Sequence, residues 1–171
     1  MELLFAHGLE SGPHGRKYQA LVDAGHSVRA PECRGMDLAL RVDVLVDAIV
    51  AIRRRGAGDP FVVGSSFGGL AGLLAALIAA DRGDPVAGLL LCAPALQLPL
   101  PEPLQRSLRP PAPTTILHGR GDEVIPIAHS RAFALEHGSR LVEVDDDHRL
   151  AASIPTMLEL VREGLAAASA G

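Results

Sequence analysis

At 171 residues and 17.9 kDa the chain has the size of one domain around one core, and residues 1–171 are read as a single domain. A hydrophobic fraction of 48% and a mean hydropathy of +0.24 exclude disorder. Sixteen Lys and Arg against 20 Asp and Glu leave a net charge of −4, so no basic face points to nucleic acid as a partner.

Short apolar runs alternate with longer segments of helical period. Leu3–Ala6 reads as a first strand, closed by His7 and Gly8. Residues 16–24 form a helix stopped by Gly25, and residues 26–30 a short second strand ending at Pro31. Within 38–55, the residues Leu38, Val42, Leu45, Ile49 and Ile52 mark one face of a helix. Residues 61–63 make a third strand, and 68–81 a helix apolar all round, as burial against a sheet requires. Strands follow at 86–92, 114–118 and Arg140–Val144, with helices at 128–137 and 154–165. In the last helix Met157, Leu158, Val161 and Leu165 form the inner side.

This alternation predicts an α/β protein: a three-layer α/β/α sandwich around a doubly wound, mainly parallel sheet of about six strands. Residues 94–113 interrupt the short joins with seven of the thirteen prolines, which leaves room for one turn at 104–108 and no long helix. They read as an arm. The longest apolar run, residues 70–80, is too short for the roughly 20 residues that span a bilayer, so no membrane span is expected. Glu2 after Met1 and the short apolar run behind it predict no secretory leader. Cys33 and Cys92 lack disulfide or metal spacing, which points to reduced thiols in a cytoplasmic protein.

In open α/β sheets, ligands bind beyond the carboxyl ends of the strands. Gly64-Ser65-Ser66-Phe67-Gly68 stands there, after the third strand and before a helix, and matches G-x-S-x-G with Ser66 in the middle. A turn that merely packs helix on strand is the structural alternative. A serine hydroxyl needs a base held by a third group. His148, after the last strand and the run Asp145-Asp146-Asp147, is the candidate base; a solvated turn is its alternative. Asp122, just past the fifth strand, is the candidate acid, with Glu123 and the three later aspartates as rivals and helix capping as its alternative role. Consecutive residues of Asp145 to His148 cannot all face one ion, so neither a metal nor an organic cofactor is expected. The oxyanion of an acyl transfer needs two donors, assigned to the backbone N–H groups of Phe67 and Leu9. His7 is expected to brace the Leu9 loop. Glu10, Ser11 and His14 flank that loop as candidate substrate contacts, and Cys92 is a further one, with burial as its alternative.

HGLESG after the first strand, GSSFGG after the third, HGRGDEVIP after the fifth and DDDHRL after the sixth resemble the α/β-hydrolase superfamily, in the order Ser66, Asp122, His148. The resemblance runs from about residue 3 to 165 and is strongest to small bacterial serine esterases and thioesterases without a cap domain. It implies hydrolysis of an ester, thioester or amide through an acyl-serine, acting on a small-molecule or acyl-carrying substrate. It also implies a strand order of second, first, third, fourth, fifth, sixth. The chain departs from larger members in lacking the initial antiparallel hairpin and in having residues 94–113 where a cap is inserted. A serine peptidase or amidase, and a non-catalytic binding protein on the same fold, are the competing readings. Oligomeric state has no signature in the sequence.

Overall fold

Alternation along the strands sorts apolar side chains onto the two faces of one sheet. In the computed structural model, which describes residues 1–170, the strands are β1 (Leu3–Ala6), β2 (Val28–Arg29), β3 (Phe61–Ser65), β4 (Gly88–Cys92), β5 (Thr114–Gly119) and β6 (Arg140–Val144). Between and after them run α1 (Arg16–Asp23), α2 (Leu38–Arg54), α3 (Phe67–Asp81), α4 (Ile127–His137) and α5 (Ile154–Ser169). All pairings are parallel, in the order β2-β1-β3-β4-β5-β6. This is the three-layer α/β architecture expected from the alternation.

On one face Leu4, Ala6, Val62, Leu89, Leu91 and Ile116 meet α2, α3 and Phe133 of α4. On the other, Leu3, Phe5, Val63, Leu90 and Leu117 meet Leu21 of α1 and Met157, Leu160 and Val161 of α5. Leu160 thus replaces Leu158 in the expected inner set; Leu158 and Leu165 are only partly buried. β2, at the sheet edge, is shorter than the expected 26–30 and pairs only with Leu3 and Leu4. No cap domain interrupts the fold. The segment 94–113 holds one short 3-10 turn, Glu102–Leu104, two residues ahead of the expected position. Its Leu96, Leu100, Leu104 and Leu108 pack onto the α2/α3 face and are used as core, while Leu98 is exposed. Among the described residues no helix is long and apolar enough to cross a membrane.

Candidate active site

The turn from β3 into α3 forces Ser66 to φ 55°, ψ −120°, a conformation that L-residues adopt only under constraint. Small neighbours permit it. A Cβ on Gly64 would lie 2.7 Å from the Gly69 Cα, and one on Gly68 would run into the carbonyl oxygens of Ala6 and His7. The helix can therefore start directly under the end of β1, with Ser66 raised above the sheet. Ser65, by contrast, remains in the strand, in register with Cys92.

His148 lies four residues past β6. Its Nε2 is 3.0 Å from Ser66 Oγ, and its Nδ1 is 2.7 Å from Asp122 Oδ2. With Nδ1 protonated, the ring donates to the carboxylate and accepts from the serine hydroxyl. Asp122 is buried in the loop after β5, three residues past the strand. Its Oδ1 accepts from the backbone N–H groups of Val124 at 2.9 Å and Ile125 at 2.8 Å, which closes the loop and leaves Oδ2 for the imidazole. The carboxylate does not cap α4, whose N-terminus has no side-chain cap. The rival acids are engaged elsewhere or exposed. Asp145 pairs with Arg120 at 2.7 Å, Asp146 accepts from Ser153, Asp147 accepts from the Arg149 N–H, and Glu123 is exposed.

Two residues outside the sequence-derived set belong to this neighbourhood. His118, fully buried on β5, brings Nε2 to 3.1 Å from Asp122 Oδ2 while donating to the Ile125 carbonyl at 3.0 Å. Its Nδ1 then accepts from the Ser130 hydroxyl at 2.7 Å. Arg41, in the first turn of α2, reaches the carbonyls of the loop after β1. A histidine near the end of an apolar strand, and an arginine on the apolar face shared by Leu38 and Leu45, are the signals that could have found them.

The loop carrying Leu9 packs on Ser66: a Cβ on Gly8 would stand 3.7 Å from the Ser66 Cβ. Leu9 itself is exposed. His7 braces this loop, donating from Nδ1 to the Gly8 carbonyl at 2.8 Å and accepting at Nε2 from the Cys33 N–H at 2.9 Å. Burial, with the Arg41 charge acting in the same sense, holds its pKa below the ordinary 6.5. Phe67 opens α3, where the first N–H groups have no partner within the helix. Glu10, Ser11 and His14 are exposed, and the His14 ring packs edge-on against Tyr18. Cys92 corrects an expectation. It has no exposed surface, so its side chain offers nothing to a substrate, and burial pushes its thiol up to about 11. Among the described residues no group of three or more His, Cys, Asp or Glu is placed to hold a metal ion.

The sequence model of the alpha/beta hydrolase family matches residues 3–168. The chain belongs to the alpha/beta hydrolase family. The hydrolase is similar in structure to a protein of the alpha/beta superfamily from Xanthomonas campestris pv. campestris described as a hydrolase (TM-score 0.78, 28% identity, covering 95% of this chain and 98% of that one). It shares its fold with Est1E from Butyrivibrio proteoclasticus (TM-score 0.70, 19% identity, 99% and 88% covered). The same holds for a thermophilic esterase from Thermogutta terrifontis (TM-score 0.71, 18% identity, 98% and 90% covered). None of the curated proteins matches this hydrolase in sequence.

Proposed function

We propose that this hydrolase cleaves carboxylic esters or thioesters through an acyl-serine intermediate, with residues 1–171 acting as one catalytic domain. The observation that carries the reading is the unbroken relay from Ser66 Oγ through His148 to Asp122, at 3.0 and 2.7 Å. Ser66 Oγ attacks the acyl carbon as its proton passes to His148 Nε2. The imidazolium so formed is held by Asp122 Oδ2. The oxyanion accepts from the N–H groups of Leu9 and Phe67. Collapse breaks the acyl–oxygen or acyl–sulfur bond, and His148 returns the proton to the leaving alkoxide or thiolate. Water then attacks the acyl-serine by the same route in reverse, releasing the acid and regenerating Ser66. The esterases that share this fold support the ester class. The two free, buried cysteines support a cytoplasmic setting, and small-molecule or acyl-carrying substrates suit a site without a cap.

A fluorophosphonate probe tests the nucleophile. The adduct is expected on Ser66, Ser66→Ala abolishes turnover of p-nitrophenyl acetate and acyl-CoA thioesters, and Ser65→Ala keeps a substantial part. An adduct on Ser65 overturns the assignment. Folded protein that neither labels nor turns over any ester, thioester or amide is instead the binding-protein reading.

A further inference from the structure

Arg41 is 1% exposed and heads the largest side chains that are fully buried. A buried charge is costly unless paired. Among the described residues, however, no carboxylate oxygen comes within 4.0 Å of this guanidinium. Glu32, whose field reaches it, is bound to Arg34 at 2.8 Å instead. The donors of Arg41 go to main-chain oxygens: His7 at 3.0 Å, Gly8 at 3.3 Å, Leu9 at 3.3 Å and Met36 at 3.2 Å. Its face stands 5.0 Å from the centroid of the Phe67 ring. One cation therefore touches both segments that flank Ser66.

The peptide geometry gives this arrangement a direction. In a trans peptide the C=O and N–H point opposite ways. Drawing the carbonyls of His7, Gly8 and Leu9 onto one guanidinium turns the N–H groups of Gly8, Leu9 and Glu10 away from it. The Gly8 carbonyl also accepts from His7 Nδ1 at 2.8 Å, so the peptide that ends in the Leu9 N–H carries two donors on its oxygen. Hydrogen bonds that polarise a peptide at its oxygen strengthen its N–H as a donor.

We infer that Arg41 is a positioning residue of the oxyanion site: its buried, unpaired charge presets the Gly8–Leu9 peptide as a donor and stabilises the anion formed on the acyl oxygen. The inference rests on the acyl-serine reading of Ser66. An anion exists in the transition state and not in the bound ester, so the charge acts on kcat and leaves KM nearly untouched. The titratable groups facing Arg41 are His7, in the loop after β1, and Glu32 and Cys33, in the loop after β2.

Arg41→Gln and Arg41→Lys separate charge from hydrogen bonding, since both replacements can donate to the carbonyls and only the lysine is charged. With p-nitrophenyl acetate, Arg41→Gln is expected to lower kcat by at least about tenfold with KM within about threefold. Its affinity for an aryl trifluoromethyl ketone, which adds Ser66 Oγ and carries an oxyanion, should fall in step with kcat. Arg41→Lys should stay within about fivefold of wild type at neutral pH. It should also lose kcat on an added alkaline limb as the buried ammonium gives up its proton, which the guanidinium does not. Equal damage in both variants at neutral pH, or a rise in KM without loss of kcat, overturns the inference. If Arg41→Gln does not fold, the alkaline limb of Arg41→Lys decides, and its absence overturns the inference. Should turnover survive Ser66→Ala, the acyl-serine reading fails as well; should it vanish there while Arg41→Gln is unaffected, only the role of Arg41 fails.

Discussion

His118 Nε2 lies 3.1 Å from the same Asp122 oxygen that His148 Nδ1 reaches at 2.7 Å. Its N–H is directed at the Ile125 carbonyl, so the positive edge of a second imidazole flanks the carboxylate without competing for the bond to His148. Asp122 is thereby fixed from both sides: two backbone N–H groups on Oδ1, two rings beside Oδ2.

Removing that support should affect both stability and rate. His118→Phe keeps the volume but leaves the Ile125 carbonyl and the Ser130 hydroxyl without their ring partner. A buried group left unsatisfied costs about 1–3 kcal/mol. Urea unfolding should show a loss in that range. In the same variant kcat should drop by about tenfold, equivalent to about 1.4 kcal/mol, through a loosened Asp122. A stability loss with unchanged kcat would confine His118 to a structural role.

Asp122→Asn probes the carboxylate itself. The amide can still accept at Oδ1 but offers an NH₂ to His148, which favours the wrong tautomer. The corresponding change in a serine-protease triad lowers kcat by about 10⁴. Here the loss of kcat is expected to be at least about 10²-fold. Asp145→Asn, Asp146→Asn and Asp147→Asn should each stay within about tenfold, acting only through the local field. Steady-state kinetics on the four variants decides the matter: a mild Asp122→Asn beside a severe change at 145, 146 or 147 means the acid is misassigned.

His7 makes the fold acid-sensitive in a defined window. Its folded pKa is depressed below 6.5 by burial, and its Nε2 is occupied as an acceptor of the Cys33 N–H. The unfolded chain takes up a proton near pH 6.5 that the folded chain refuses. Stability from this group is therefore full above pH 6.5 and is lost as pH falls below it. One proton corresponds to a slope of up to about 1.4 kcal/mol per pH unit. Unfolding free energies measured from pH 5 to 7.5 should show that added slope in wild type and not in His7→Gln. Parallel slopes in the two proteins would contradict it.

Acyl length should be restricted. Four of the five leucines of residues 94–113 are packed on the α2/α3 face, which leaves Leu98 exposed there, and the exposed apolar side chains on the loops that carry Leu9 and Asp122 amount to Leu9 and Val124. Such a rim buries few methylenes, each worth about 0.8 kcal/mol when removed from water. Across p-nitrophenyl esters from acetate to palmitate, kcat/KM is expected to peak at short acyl chains, with no activation by lipid droplets. A maximum at long chains would show that a groove forms elsewhere.

What could be read from the sequence follows from how local each signal is. The helical period from Leu38 to Ile52 and the strand–turn–helix around Ser66 are contained in single stretches of chain, and both elements stand where the pattern puts them. The extent of β2 and the inner face of α5 depend on neighbours in space: only Val28 and Arg29 of the expected 26–30 come into register with β1, and the packing of α5 on the sheet brings Leu160 inward in place of Leu158. His118 and Arg41 stayed hidden for the same reason. Nothing within a few residues of Arg41 shows that it bonds to carbonyls more than 30 positions away.

The relay also has a timetable. Ser66 and His148 are 82 residues apart in a chain whose strands pair only in parallel, each across a long connection. At roughly 5–20 residues per second, a ribosome needs about 4–16 s to make the stretch that separates them. The strained turn and the Arg41-bound loop can be in place during that interval, but His148, the proposed base, has yet to be made. Under the proposed acyl-serine mechanism a nascent chain is thus born unarmed, and it cannot attack acyl groups around it until its last third has been made and docked.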